Sequence, residues 1–178
     1  DVVRKLLGDL TSAGVDIDPI DGHVWAYERC GAGALGGAGG GGVTCETNEV
    51  DPIFKFDRNT GAVLANFGKG VMVTPHGIHV DRQGNVWIAD FAGNEAGTKG
   101  HQVHKFSQKG EKLLSLGIAG KPGNADGQFN QPNDVVVRSV GCLGVDPVIV
   151  AEDAGLASVA VRLPDTLPID YPFTYAAA

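Results

Sequence analysis

The chain has 178 residues, and its 43% hydrophobic content excludes wholesale disorder. With 14 Lys and Arg against 21 Asp and Glu, the net charge of −7 excludes the basic footprint of a nucleic-acid binder. No apolar run reaches the roughly eighteen residues of a membrane-spanning helix, and no leader pattern is read from Asp1 onward.

The first segment, 1–11, places Val3, Leu6, Leu7 and Leu10 on a helical stripe and suits either one short helix or an opening strand. Beyond it the chain repeats itself. A first copy runs through Gly14-Val-Asp-Ile-Asp, Asp21-Gly-His-Val-Trp-Ala-Tyr, Pro52-Ile-Phe-Lys-Phe-Asp and Ala62-Val-Leu-Ala-Asn-Phe. A second runs through Gly77-Ile-His-Val-Asp, Gln83-Gly-Asn-Val-Trp-Ile-Ala-Asp, Gln102-Val-His-Lys-Phe and Glu111-Lys-Leu-Leu-Ser-Leu. A third begins at Pro132-Asn-Asp-Val-Val-Val and does not continue. Each run is short and rich in Val, Ile, Trp or Phe, as strands are. Turn pairs such as Asp21-Gly22 and Lys109-Gly110 separate the runs and read as hairpins. Four antiparallel strands per repeat is the pattern of a β-propeller blade. With 27 glycines and 9 prolines, the chain favours such turn-linked elements over a helical bundle.

Three cysteines, Cys30, Cys45 and Cys142, permit one disulfide and one free thiol. Cys30 and Cys45 flank the Gly-rich stretch 31–42 and are expected to bridge it, which would imply an oxidising compartment. That stretch lacks the Gly-Lys-Ser/Thr ending of a phosphate loop and reads as an insertion.

The segments Gly84-Asn-Val-Trp-Ile-Ala-Asp, His101-Gln-Val-His-Lys-Phe and Phe129-Asn-Gln-Pro-Asn-Asp-Val-Val-Val resemble the NHL-repeat β-propeller. Within it they are similar to the peptidyl-α-hydroxyglycine α-amidating lyases and their bacterial relatives. The implied fold is all-β: a partial propeller of four-stranded antiparallel blades over 12–137, with a divergent or out-of-frame tail over 138–178. The opening segment 1–11 stands apart from both.

The resemblance assigns roles residue by residue. Pro75-His76-Gly77 matches the position of a zinc-ligating histidine, although the bare residues equally suit a turn-capping or channel-lining imidazole. Arg29, expected at the end of the strand nearest the propeller axis, matches the substrate-facing arginine, with an ion pair to Glu28 or Glu49 as its alternative. Val15 and Ile78 match positions whose backbone carbonyls bind a structural calcium, and plain core packing serves both equally. His23, His79, His101 and His104 read as surface or satisfied structural residues. Asp81, Asp90 and Asp134 read as acids that cap turns or neighbouring amides.

The implied activity is cleavage of a peptide or small amide-type substrate ending in α-hydroxyglycine, giving an amide and glyoxylate. Zinc and calcium are the implied cofactors, and an extracellular or periplasmic setting is implied with them. The further zinc histidines, a catalytic tyrosine and a later arginine have no matching positions here, so the chain alone is expected to be inactive. The alternative is a non-catalytic NHL propeller that binds a protein or peptide.

Overall fold

The computed structural model describes residues 12–30, 44–47, 50–137, 148–152, 159–161 and 170–171. The opening segment 1–11, the Gly-rich stretch, Cys142 and most of the tail lie outside the described residues.

The first repeat forms β1 (Ser12–Ile17), β2 (Val24–Glu28), β3 (Ile53–Phe56) and β4 (Val63–Phe67), an antiparallel sheet in that order. The second forms β5 (Pro75–Val80), β6 (Val86–Asp90), β7 (Gln102–Phe106) and β8 (Lys112–Leu116), again antiparallel and in chain order. A third sheet pairs β9 (Pro132–Val137) with β10 (Val148–Glu152), and β10 with β11 (Val159–Val161). The two-residue β12 (Asp170–Tyr171) runs parallel along the outer edge of β8. The expected all-β blades are present, and their turns carry the expected glycines: Gly22 and Gly110 have φ of 72° and 84°, a region L side chains avoid.

The sheets stack as a repeat. Trp25, Tyr27 and Ile53 of the first pack against Ile78, Val86 and Ile88 of the second, with Met72 from the connection between them. Strand alternation then puts Val24 and Ala26 on the opposite face of β2, where they join Phe56. Both faces of β2 and β6 are buried, which explains why these strands read as nearly continuous apolar runs. Full burial of a side chain the size of Trp25 contributes at least about 1.5–3 kcal/mol.

The first two repeats are each keyed by the same polar trio, built around a buried carboxylate. Asp18 accepts from Trp25 Nε1 at 3.1 Å and from Lys55 Nζ at 2.7 Å, and the ammonium lies 5.2 Å from the Trp25 ring centroid. In the second copy Asp81 accepts from Trp87 Nε1 at 3.0 Å, and Lys105 Nζ stands 3.5 Å from Asp81 and 4.9 Å from the Trp87 ring. The Asp, Trp and Lys recurring in the sequence are therefore one structural unit, a carboxylate holding an indole N–H beneath a cation.

Candidate functional site

The first strands of the three sheets meet at β5, against which both β1 and β9 pack. Glycines permit the close approach. A Cβ on Gly14 would stand 2.8 Å from the Tyr27 ring and 3.5 Å from Ile78. One on Gly77 would stand 2.6 Å from Asp134 Cα and 2.7 Å from the Asn133 carbonyl oxygen.

His76 is the second residue of β5, at this junction. Its Nδ1 donates to the carbonyl oxygen of Asn133 at 3.0 Å, and its ring stacks on Phe91 with centroids 5.0 Å apart. A hydrogen on Nδ1 places the lone pair of the neutral ring on Nε2. That is the state in which an imidazole binds a metal, oriented by a backbone carbonyl on its other nitrogen. His76 thus fits as one zinc ligand. Among the described residues no group of three or more His, Cys, Asp or Glu side chains gathers around a single point.

Arg29 follows β2, the second strand of its sheet. Because Ser12 pairs with Glu28, Arg29 stands beside the start of β1, as His76 stands near the start of the equivalent β5. Arg29 Nε is buried and has no hydrogen-bond partner among the described residues.

The expected Cys30–Cys45 disulfide is present, with Cα atoms 4.9 Å apart. It holds the segment just after Arg29. Cys45 N donates to the Val73 carbonyl at 2.9 Å, three residues before His76, so the bridge ties the two candidate residues through one short path.

Tyr27 escaped the sequence reading. Its side chain is fully buried, and its hydroxyl has no partner among the described residues. Burial pushes the phenol pKa upward; Arg29 opposes that shift and Asp134 adds to it. Tyr27 therefore lies within electrostatic reach of residues from the first and third repeats. The period-two position of Tyr27 and Arg29 on one face was the signal available.

Val15 and Ile78 occupy equivalent positions of β1 and β5, Val15 with an exposed side chain and Ile78 with a buried one. His79 pairs with Asp16 at 3.2 Å, and His23 Nδ1 accepts from Arg58 N at 3.2 Å. His101 precedes β7 with φ of 54°, and its Nδ1 accepts from Gln131 N. His104 is buried in β7, and its Nε2 has no partner among the described residues, so it is neither a surface nor a fully satisfied residue. Asp81 caps its turn through the N–H groups of Gln83 and Asn85, and Asp90 accepts from those of Val73 and Thr74.

No family model matches the chain. It is 36% identical over 80 residues to a probable peptidyl-α-hydroxyglycine α-amidating lyase of Caenorhabditis elegans, covering 44% of this chain and 21% of that protein. It is 41% identical over 89 residues to peptidyl-glycine α-amidating monooxygenase B of Xenopus laevis, covering 49% and 9%. It is 35% identical over 95 residues to human NHL repeat-containing protein 3, covering 51% and 25%. The chain thus spans a quarter or less of each of these relatives. A solved structure from Bacteroides thetaiotaomicron, of unknown function, superposes with a TM-score of 0.50 at 16% identity, over 78% of this chain and 32% of that one, a likeness of fold alone. Over about half its length, then, this chain is similar to the amidating lyases and to an NHL repeat-containing protein, and its four-stranded antiparallel sheets are those of partial β-propeller blades.

Proposed function

We propose that residues 12–137 carry one edge of a lyase site that cleaves a peptidyl-α-hydroxyglycine to a peptide amide and glyoxylate. The observation behind this reading is the state of His76: a ring held by the Asn133 carbonyl, with its Nε2 lone pair left for a ligand. Arg29, tethered toward the same edge by the disulfide, is the partner group. Its guanidinium suits the carboxylate of the terminal hydroxyglycine, or the negative charge that develops as the bond breaks. In the reaction the hydroxyl loses its proton, the C–O bond becomes a carbonyl, the C–N bond breaks and the amide nitrogen takes up a proton. Zinc, when bound, supplies a Lewis acid to this edge, with His76 as one of its ligands. The carbonyls of Val15 and Ile78 are the proposed calcium ligands from this chain.

The relatives named as lyases support a peptide-type substrate. The disulfide suits an extracellular or periplasmic setting. In a complete propeller carrying these repeats, His76→Ala is expected to remove zinc and abolish glyoxylate release while leaving the fold intact. Retention of both zinc and turnover would overturn the assignment. The second reading, a non-catalytic propeller that binds a protein or peptide, draws on the likeness to NHL repeat-containing protein 3. Zinc near one per chain in the complete protein favours the lyase, and none favours the binding module.

A further inference from the structure

We propose that a cavity of about 600 Å³, at the seam between the first and second sheets, binds a small carboxylate that carries an apolar group. Its walls come from the connection after β4, the loop before β7, β7 itself, and both ends of β8. None of its lining residues belongs to β1, β5 or β9, so the site is separate from the proposed lyase edge.

Two lysines from different segments line this cavity, Lys99 and Lys112. They are two cations in a chain of net charge −7. Lys99 is pre-positioned: Nζ donates to the Gly70 carbonyl at 2.9 Å, with Glu46 farther off at 3.7 Å. Lys112 is exposed.

His104 supplies the second, independent observation. It lines the same cavity, is only 2% exposed, and its Nε2 lacks a partner among the described residues. Its Nδ1 lies 2.9 Å from Ser115 Oγ. With the hydroxyl donating to Nδ1, the neutral ring carries its hydrogen on Nε2, a donor that lacks an acceptor. Val71 and Ile118 give the wall apolar surface beside these donors. Cations, one unused donor and apolar flanks together match a carboxylate with a short hydrocarbon tail.

The rim is built in advance. Gly120 N donates to the Gly100 carbonyl at 3.0 Å, and a Cβ on Gly120 would collide with the backbone of Gly97 and Thr98. Only glycine lets these two turns meet, and a rim already closed needs little ordering when a ligand arrives.

The test titrates the isotopically labelled 178-residue chain with hexanoate, and separately with hexanamide, its uncharged analogue of equal length. Hexanoate is expected to shift the amide signals of Gln102, Lys112 and residues 117–119 saturably, and hexanamide to bind at least about tenfold more weakly. Lys112→Ala is expected to weaken hexanoate binding by about tenfold, with unchanged Trp25 and Trp87 indole signals reporting an intact fold. The proposal is overturned if hexanoate causes no saturable shift at these residues, or if hexanamide binds equally well. Undiminished hexanoate binding in a folded Lys99→Met/Lys112→Ala double variant overturns it as well.

Discussion

The Nδ1 of His76 lies 3.0 Å from the carbonyl oxygen of Asn133, 57 residues further along the chain. Pro132-Asn133-Asp134 is the third repeat's version of Pro75-His76-Gly77, so the start of β5 contacts its own counterpart in β9. One repeat thus sets the tautomer of the other's imidazole. Phe91, at the end of β6, fixes the plane of the ring, and its N–H donates to the Thr74 carbonyl at 2.9 Å.

The narrow passage between β5 and β9 makes Gly77 sensitive. Gly77→Ala puts a methyl group within 2.6 Å of Asp134 Cα, a backbone atom that cannot swing aside. The expected loss is about 1–3 kcal/mol in urea unfolding. Full stability in that variant would show that the two strands separate easily.

Lys55 has Asp18 at 2.7 Å and Asp21 at 2.6 Å, and the Asp18 side chain has no exposed surface. Lys55→Met leaves that buried carboxylate without a cation, with only the N–H donors of Trp25 and Ile20. The expected destabilisation is about 3–5 kcal/mol. Lys105→Met is expected to cost less than about 1 kcal/mol, because Lys105 is more exposed and Asp81 keeps donors from Asn85 and Trp87. Denaturant titration of both variants checks the order, and equal losses would contradict it.

Burial holds the His104 imidazole down to about 3, with Lys112 adding to the effect. Its ordinary value is 6.5, so between about 6.5 and about 3 the unfolded chain binds a proton that the native chain refuses. The His104 contribution is therefore present in full above pH 6.5 and is lost as pH falls through that window. Asp90, pushed up to about 7 by burial, acts with the opposite sign over an overlapping range. The difference in unfolding free energy between the parent chain and His104→Gln isolates the histidine. That difference is expected to shrink from pH 7 to pH 4.5, and a constant difference would refute the assignment.

The bridge between Cys30 and Cys45 closes a loop with a sequence separation of 15. Chain-entropy reasoning gives about 3 kcal/mol for a loop of that size. The paired Cys30→Ser/Cys45→Ser variant should lose stability of this order, and thiol titration of the denatured, unreduced chain should count one free thiol of three. A count of three would remove the bridge.

Strands were legible where local physics decides them. The Asp-Gly and Lys-Gly turns ended hairpins, and apolar runs between them became β2, β3, β6 and β7 close to where they were read. The disulfide was legible as well, because its two cysteines flank one insertion. Tyr27 was not singled out, because whether a hydroxyl finds a partner is invisible until its neighbours are known.

The sequence by itself determined the all-β class, the repeat and the turns, because side-chain alternation and glycine's access to positive φ act over a few residues. Only the tertiary structure decided which polar atoms find partners. Asn133 orienting His76, Asp18 holding Lys55, and Ser115 engaging Nδ1 of His104 all depend on groups at least 11 residues away in the chain. The energy of a buried donor or acceptor is set by what stands within about 3 Å of it, and that neighbour is chosen by the packing of the sheets.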